Sequence, residues 1–245
     1  MGAPRLQQDA VQLYQEQGYL LFTEPVLAPD QFQRLSALFE EIVAAHPEIP
    51  IDSLDTPHFH EPRLLEFLLD DAILDLVEPL IGPDFGLWSS HFIAKEAGTG
   101  RRTPWHEDST YWQGRFDRFD LGIVTVWLAI DRSDRGNGCM KVLPGSHLRD
   151  GATYAAVDSA TNLFPTEAQV DESEAVYFEL EPNQCSLHDS RILHGAEANR
   201  SPRRRCGYTM RYFSQHMRFI PENNGGHKLW HCRGANPHNN PVENG

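Results

Sequence analysis

Apolar positions follow a helical period in the first third of the chain and a strand period after it. Residues 5–17 read as a helix, followed by a short apolar strand, Tyr19-Leu20-Leu21-Phe22. Pro29-Asp30 opens a second helix, in which Phe32, Leu35, Leu38, Phe39 and Ile42 recur on one face. Residues 47–60 carry three prolines and read as a loop. The pattern turns helical again from Leu64 to about Leu80, ending near Ile81-Gly82-Pro83. Beyond that point the runs are short, rich in β-branched and aromatic residues, and separated by Gly, Pro and Asn. Strands are predicted over Phe85–Glu96, Gly122–Ile130, Cys139–Leu143, Ala175–Leu180, Cys185–His188 and Cys206–Phe213. Helices first and many strands later predict an α+β chain with a mainly β core, a sandwich or barrel braced by N-terminal helices. One domain over 1–245 is expected, with about 1–82 as helical support and about 83–220 as the core. Residues 144–174 show little periodicity and are either a lid over a site or a surface excursion. Residues 237–245 read as a frayed tail.

Composition narrows the function classes. A hydrophobic share of 40% and a charged share of 23% describe an ordinary globular chain of 245 residues. The net charge of −14 argues against a nucleic-acid partner, which needs a basic face, but leaves room for a small anion in a local basic pocket. No apolar run approaches the roughly 18 residues of a membrane span, and the first residues lack an apolar signal core. The four cysteines form no C-x-x-C pair, so reduced thiols in a cytoplasmic protein are expected.

The chemistry concentrates in two stretches. The first, PWHEDSTYW at 104–112, contains His106 and Asp108. On a strand, residues i and i+2 share a face, so the imidazole and carboxylate are expected to grip one ion from one side, with Glu107 pointing away. Alone this is weak, since about one H-x-D arises by chance in such a chain with twelve histidines. The second stretch, residues 188–213, offers His188 and His194 as a third ligand and ends in Arg203-Arg204-Arg205. Two histidines and one carboxylate on one face of an ion leave three positions open, as in non-haem iron(II) oxygenases.

Four segments together carry a family resemblance. They are Lys95 through the WHED segment, VTVWLAI at 124–130, NGCMKVLPGSH at 137–147, and HGAEANRSPRR at 194–204 leading to Arg205. With these pieces in this order, the chain resembles the phytanoyl-CoA dioxygenase family, iron(II)- and 2-oxoglutarate-dependent oxygenases built on a double-stranded β-helix (a jelly-roll, cupin-like barrel). The resemblance implies His106, Asp108 and His194 as iron ligands, with the H-G-x-x-x-N context favouring His194 over His188. It implies Arg205 as the clamp on the distal carboxylate of 2-oxoglutarate, with Trp127 and His91 lining that pocket. The family often has Ser two residues after the second ligand histidine. Here that position is Ala196, so one hydrogen bond is either missing or comes from elsewhere, Thr125 or Thr209. The implied reaction uses O2 and hydroxylates an unactivated C–H of a small molecule, with succinate and CO2 as co-products. Halogenating relatives lack the metal carboxylate, so Asp108 favours hydroxylation.

Other residues keep two readings. Arg203 and Arg204 are either solvated charges or, with a one-residue shift, replacements for Arg205. Lys95 is a pocket residue or a surface cation. Tyr111, Trp112 and Trp230 line a substrate pocket or fill core. If strand alternation holds, Arg211 shares a face with Arg205 at roughly 20 Å, too far for both to hold one 2-oxoglutarate. Arg211 is then neutralised either by a nearby carboxylate or by an anionic substrate against Trp112.

Overall fold

The alternation of the last long strand divides two environments. Cys206, Tyr208, Met210 and Tyr212 enter an apolar core shared with the helices. Arg205, Thr209 and Arg211 point the other way and line a cavity. The sheet is thus buried on both faces, apolar towards the helices and polar towards the cavity, as period-2 side-chain geometry requires.

The computed structural model describes residues 6–149 and 151–244. Its helices are α1 (Gln8–Gln17), α2 (Pro29–Ala45), α3 (Leu65–Leu68), α4 (Asp71–Ile81) and α5 (Asp108–Tyr111). Its strands are β1 (Tyr19–Phe22), β2 (Leu54–Asp55), β3 (Phe85–Lys95), β4 (Thr103–His106), β5 (Ile123–Ala129), β6 (Met140–Val142) and β7 (Tyr154–Ala156). They continue with β8 (Thr166–Ala168), β9 (Val176–Tyr177), β10 (Cys185–Asp189), β11 (His194–Ala196), β12 (Arg205–Ser214), β13 (Leu229–Arg233) and β14 (Val242–Glu243). The large sheet runs β1-β10-β5-β12-β3-β13-β14, with β2 also on β3; the small one runs β4-β11-β6-β9. Every pair in the two sheets is antiparallel except β13 with β14. The two sheets enclose the cavity between them, the double-stranded β-helix that the family resemblance implies.

The helices form where the sequence predicts, with two local corrections. The first begins at Gln8, and residue 5 of the predicted span lies outside the described residues. The span from Leu64 to about Leu80 is not one helix. It breaks at Leu69-Asp70, where the Asp70 carboxylate accepts from Ala72 N at 2.8 Å and caps a new helix, α4. Leu35, Leu38 and Phe39 of α2 and Ile73, Leu76 and Val77 of α4 pack on the apolar face of the large sheet.

The division at 83 and 220 is corrected by the pairing, since β1 and β13 both enter the large sheet. The stretch 237–245 is not frayed up to Glu243. Val242–Glu243 pairs with β13, and the buried Asn240 side chain accepts from Phe219 N and donates to Met217 O, both at 2.9 Å. Gly245 lies outside the described residues. Among the described residues no helix is long and apolar enough to cross a membrane. All four cysteines are free thiols.

Candidate active site

His106 ends β4 and His194 begins β11, and the two are direct cross-strand partners. Their rings lie 4.1 Å apart. Asp108 reaches them differently from the expected strand geometry. The strand stops at His106, Glu107 is extended, and Asp108 is the first residue of the single helical turn α5. Its Oδ1 sits 3.6 Å from His106 Nε2 and 3.9 Å from His194 Nε2. These separations exceed hydrogen bonds and suit donor atoms around one ion at bonds of about 2 Å. The three residues are buried, and their ligand atoms lie within 4.8 Å of one another. Glu107 turns away, as expected, and accepts from Ala152 N at 3.2 Å.

The tautomers are fixed by the backbone. His106 Nδ1 faces the Pro104 carbonyl oxygen at 2.8 Å, and His194 Nδ1 faces that of Ile192 at 3.0 Å. A carbonyl oxygen only accepts, so each Nδ1 carries a proton and each Nε2 is the ring atom left for a metal. Burial, then the neighbouring His106, pushes His194 down to about 3. Burial acts to raise the Asp108 carboxyl. The His106 contact, Arg211 and His194 outweigh it and hold the group well below the usual carboxylate range. The donor set fits a divalent cation: two imidazoles with Nε2 turned inward and one ionised carboxylate, all three buried.

The triad opens on a cavity of about 430 Å³. At one end lies Arg205, 2% exposed, its Nε without a hydrogen bond and its guanidinium in no ion pair among the described residues. Burial pushes it down to about 10. Its carbon sits 5.3 Å from the centroid of the Trp127 ring. Arg204, by contrast, turns outward to Asp131 at 2.7 Å and Glu40 at 2.6 Å, and Arg203 binds Asp134 at 2.8 Å. A one-residue shift therefore does not occur. A buried cation without a carboxylate of its own is costly unless an anion joins it.

The other predicted residues fall as follows. His91 lines the cavity, with Nε2 unpartnered; burial, then Arg211, lowers it to about 4. His188 also lines it, 5.3 Å from the His194 ring, yet stays outside the ligand cluster. Thr209 donates to the His91 carbonyl oxygen at 2.9 Å, whereas Thr125 Oγ1 has no partner. Thr125 pairs in register with Arg211, however, so it is not level with Ala196. The hydroxyl opposite Ala196 is Thr103, which lines the cavity and accepts from Lys95 Nζ at 3.0 Å. Sequence reading missed Thr103, and no local pattern marks it. Lys95 is buried, and its ammonium also donates to the Arg101 carbonyl oxygen. Trp230 belongs to the core, whereas Tyr111 and Trp112 line the cavity. Arg211 meets a carboxylate of the chain, the Oδ2 of Asp108 itself, at 3.8 Å. Its guanidinium lies 5.3 Å from the Trp112 ring.

The stretch 151–174 reaches this site through Leu163 and Phe164, which line the cavity. It contains the β7–β8 hairpin, and the loop between its strands places Phe164 4.9 Å from the His106 ring. Lys141 of β6 ties the segment down through Glu172 at 2.5 Å, and Trp105, next to His106, donates to the same carboxylate at 2.6 Å.

A β-helix with this triad and an orphaned arginine defines the class of non-haem iron, 2-oxoglutarate-dependent oxygenases. Within that class the chain belongs to the phytanoyl-CoA dioxygenase (PhyH) family, whose model matches residues 14–207. It is 27% identical over 173 residues to the phytanoyl-CoA dioxygenase domain-containing protein 1 homolog of Dictyostelium discoideum, covering 68% of this chain and 60% of the relative. The chain spans about half of the length of the curated relatives it matches. Among solved structures it resembles the non-heme monooxygenase ThoJ in its apo form, with a TM-score of 0.79, 21% identity, and 96% and 87% of the two chains covered. It also resembles EvdO2 from Micromonospora carbonacea var. aurantiaca complexed with 2-oxoglutarate, with a TM-score of 0.70, 20% identity, and 89% and 95% covered. These two likenesses support the fold.

Proposed function

We propose that this chain is an iron(II)- and 2-oxoglutarate-dependent dioxygenase that hydroxylates an unactivated C–H bond of a small molecule. The observation that carries the reading is the pairing of the inward-facing His106, Asp108 and His194 donors with Arg205, a buried cation that lacks a carboxylate. Iron(II) with 2-oxoglutarate and O2 supplies the oxidising chemistry: one oxygen atom leaves in succinate, carbon dioxide is released, and the other oxygen enters the C–H bond. The chain's own part is positioning. His106 and His194 hold their Nε2 atoms in place through the Pro104 and Ile192 carbonyls. Arg205 offers a planar fork to the distal carboxylate of 2-oxoglutarate, with Trp127 as its wall, and His91, opposite Thr209, lines the cavity further along the strand. Thr103, opposite Ala196, supplies the hydroxyl expected for that carboxylate, and Thr125, a lining residue level with Arg211, has a buried hydroxyl without a partner. Phe164 limits access of water to His106.

The test is succinate formation from 2-oxoglutarate in iron-reconstituted protein, screened across small-molecule classes for stimulation. Succinate that depends on iron and rises with one substrate class supports the reading. A metal-binding barrel without turnover binds 2-oxoglutarate, yields no succinate under any substrate, and would replace it.

A further inference from the structure

We infer that the half of the cavity away from Arg205 is a carboxylate subsite centred on Arg211, so that the substrate is a small monoanion with an apolar body. The inference rests on the proposed function and names the substrate class of the same site.

The placement comes from β12. Arg211 pairs in register with Ser89 on one side and Thr125 on the other, six positions from Arg205. Arg211 is 8% exposed, lines the cavity, and has no hydrogen bond at Nε. Its Nη1 donates to Ser89 Oγ at a long 3.3 Å. The carboxylate within ion-pair reach is Asp108, at 3.8 Å and through Oδ2, the oxygen other than the one facing both imidazoles. Asp108 therefore offers one charge to two claimants, the metal position and Arg211.

Counting charge sharpens this. Inside the cavity stand Arg205, Arg211 and Asp108, a net of one positive charge. A divalent cation and a dianionic co-substrate cancel, so loading leaves that charge unmet. The other lining carboxylates do not meet it: Asp52 is tied to Arg101 at 3.0 Å, and Asp55, largely exposed and 3.7 Å from His91 Nδ1, is matched in the count by Arg115, a third lining arginine. Lys95, buried behind the lining, supplies no negative charge. One further anion completes the balance, and a buried guanidinium favours a planar carboxylate that it can bind in two places.

The walls give the rest of the molecule. Trp112 covers Arg211, and Trp88 stands edge-on to Trp112 at 4.4 Å. Trp88 Nε1 is a buried donor without a partner, on a residue that lines the cavity. A volume of about 430 Å³ must hold co-substrate and substrate together, which selects a compact molecule over a long acyl thioester.

The test uses the full chain loaded with zinc and 2-oxoglutarate, which cannot turn over. Uptake of 2-oxoglutarate is titrated first; its failure removes the proposed function and this inference with it. Phenylacetate and phenylacetamide, then butanoate and butanamide, are titrated and followed calorimetrically and by tryptophan fluorescence. The acid is expected to bind at least about tenfold more tightly than its amide, as a charge-assisted hydrogen bond predicts. In Arg211→Gln the ratio falls to about one, and Arg211→Lys keeps part of it. The ratio is taken within one protein, so changes in metal loading cancel. Successful 2-oxoglutarate uptake with no acid preferred over its amide in the wild type, or a preference that survives in Arg211→Gln, overturns the subsite and leaves the proposed function standing.

Discussion

The Arg205 guanidinium lies over the face of Trp127, its carbon 5.3 Å from the ring centroid, because the residue at 207 has no side chain. A Cβ on Gly207 would overlap the Trp127 ring. Gly207→Ala is therefore expected to displace Trp127, to lower stability by about 1–3 kcal/mol as an overpacked site does, and to raise the KM for 2-oxoglutarate. Urea unfolding and 2-oxoglutarate titration check the two effects. Normal values in both would mean that the indole moves aside freely.

Arg205→Ala should act chiefly on 2-oxoglutarate. Loss of a buried charged contact costs on the order of 2–5 kcal/mol, read as a large rise in apparent KM or as a weakened visible iron–2-oxoglutarate band. Arg204→Ala is the control, because Arg204 binds Asp131 and Glu40 on the outside. An equal loss in both variants would remove the clamp role from Arg205.

Asp108→Ala takes away the one carboxylate of the triad. Succinate formation is expected to fall at least about a hundredfold, the scale seen when a metal site loses a supporting partner, with a matching loss of metal uptake by calorimetry. With Asp108 present and chloride added, the wild-type product is expected to carry hydroxyl and no chlorine. Near-normal turnover in the iron-reconstituted variant would reject the ligand assignment.

Acid should destabilise the metal-free chain through buried neutral histidines. Burial lowers His58 to about 3 and His188 to about 4, from an ordinary value near 6.5. In this window the unfolded chain binds protons that the folded one does not. Stability is fully present above about pH 6.5 and falls towards pH 4, by roughly 1 kcal/mol per pH unit for each histidine. Urea midpoints at pH 7, 6 and 5 measure it, and a flat profile would contradict the burial argument.

The sequence revealed the faces of elements better than their ends. Cys206, Tyr208, Met210 and Tyr212 against Arg205, Thr209 and Arg211 could be read directly, since alternation is local and the sheet is buried on both sides. The H-x-D spacing likewise marked the right residues. Their geometry was hidden: the strand ends at His106 and a helical turn begins at Asp108, a change that needs only one extended residue, Glu107, and leaves no periodicity to detect. The C-terminal strands were illegible for a different reason. Their order depends on Asn240 bonding to Phe219 and Met217, contacts between residues more than twenty apart in the chain. Thr103 was missed because its role comes from lying across a strand from Ala196.

Both arginines stand on one strand and line one cavity, Arg205 against Trp127 and Arg211 against Trp112 and Asp108. The two proposed places share one cavity of about 430 Å³, so an occupant of the Arg211 place restricts passage to Arg205, and 2-oxoglutarate is expected to enter first and substrate second. Steady-state kinetics should then show an unreactive substrate analogue acting uncompetitively against 2-oxoglutarate, while a 2-oxoglutarate mimic competes with it. In such an arrangement the supply of a central metabolite decides whether the chain is receptive to its substrate at all, and one strand sets that timing.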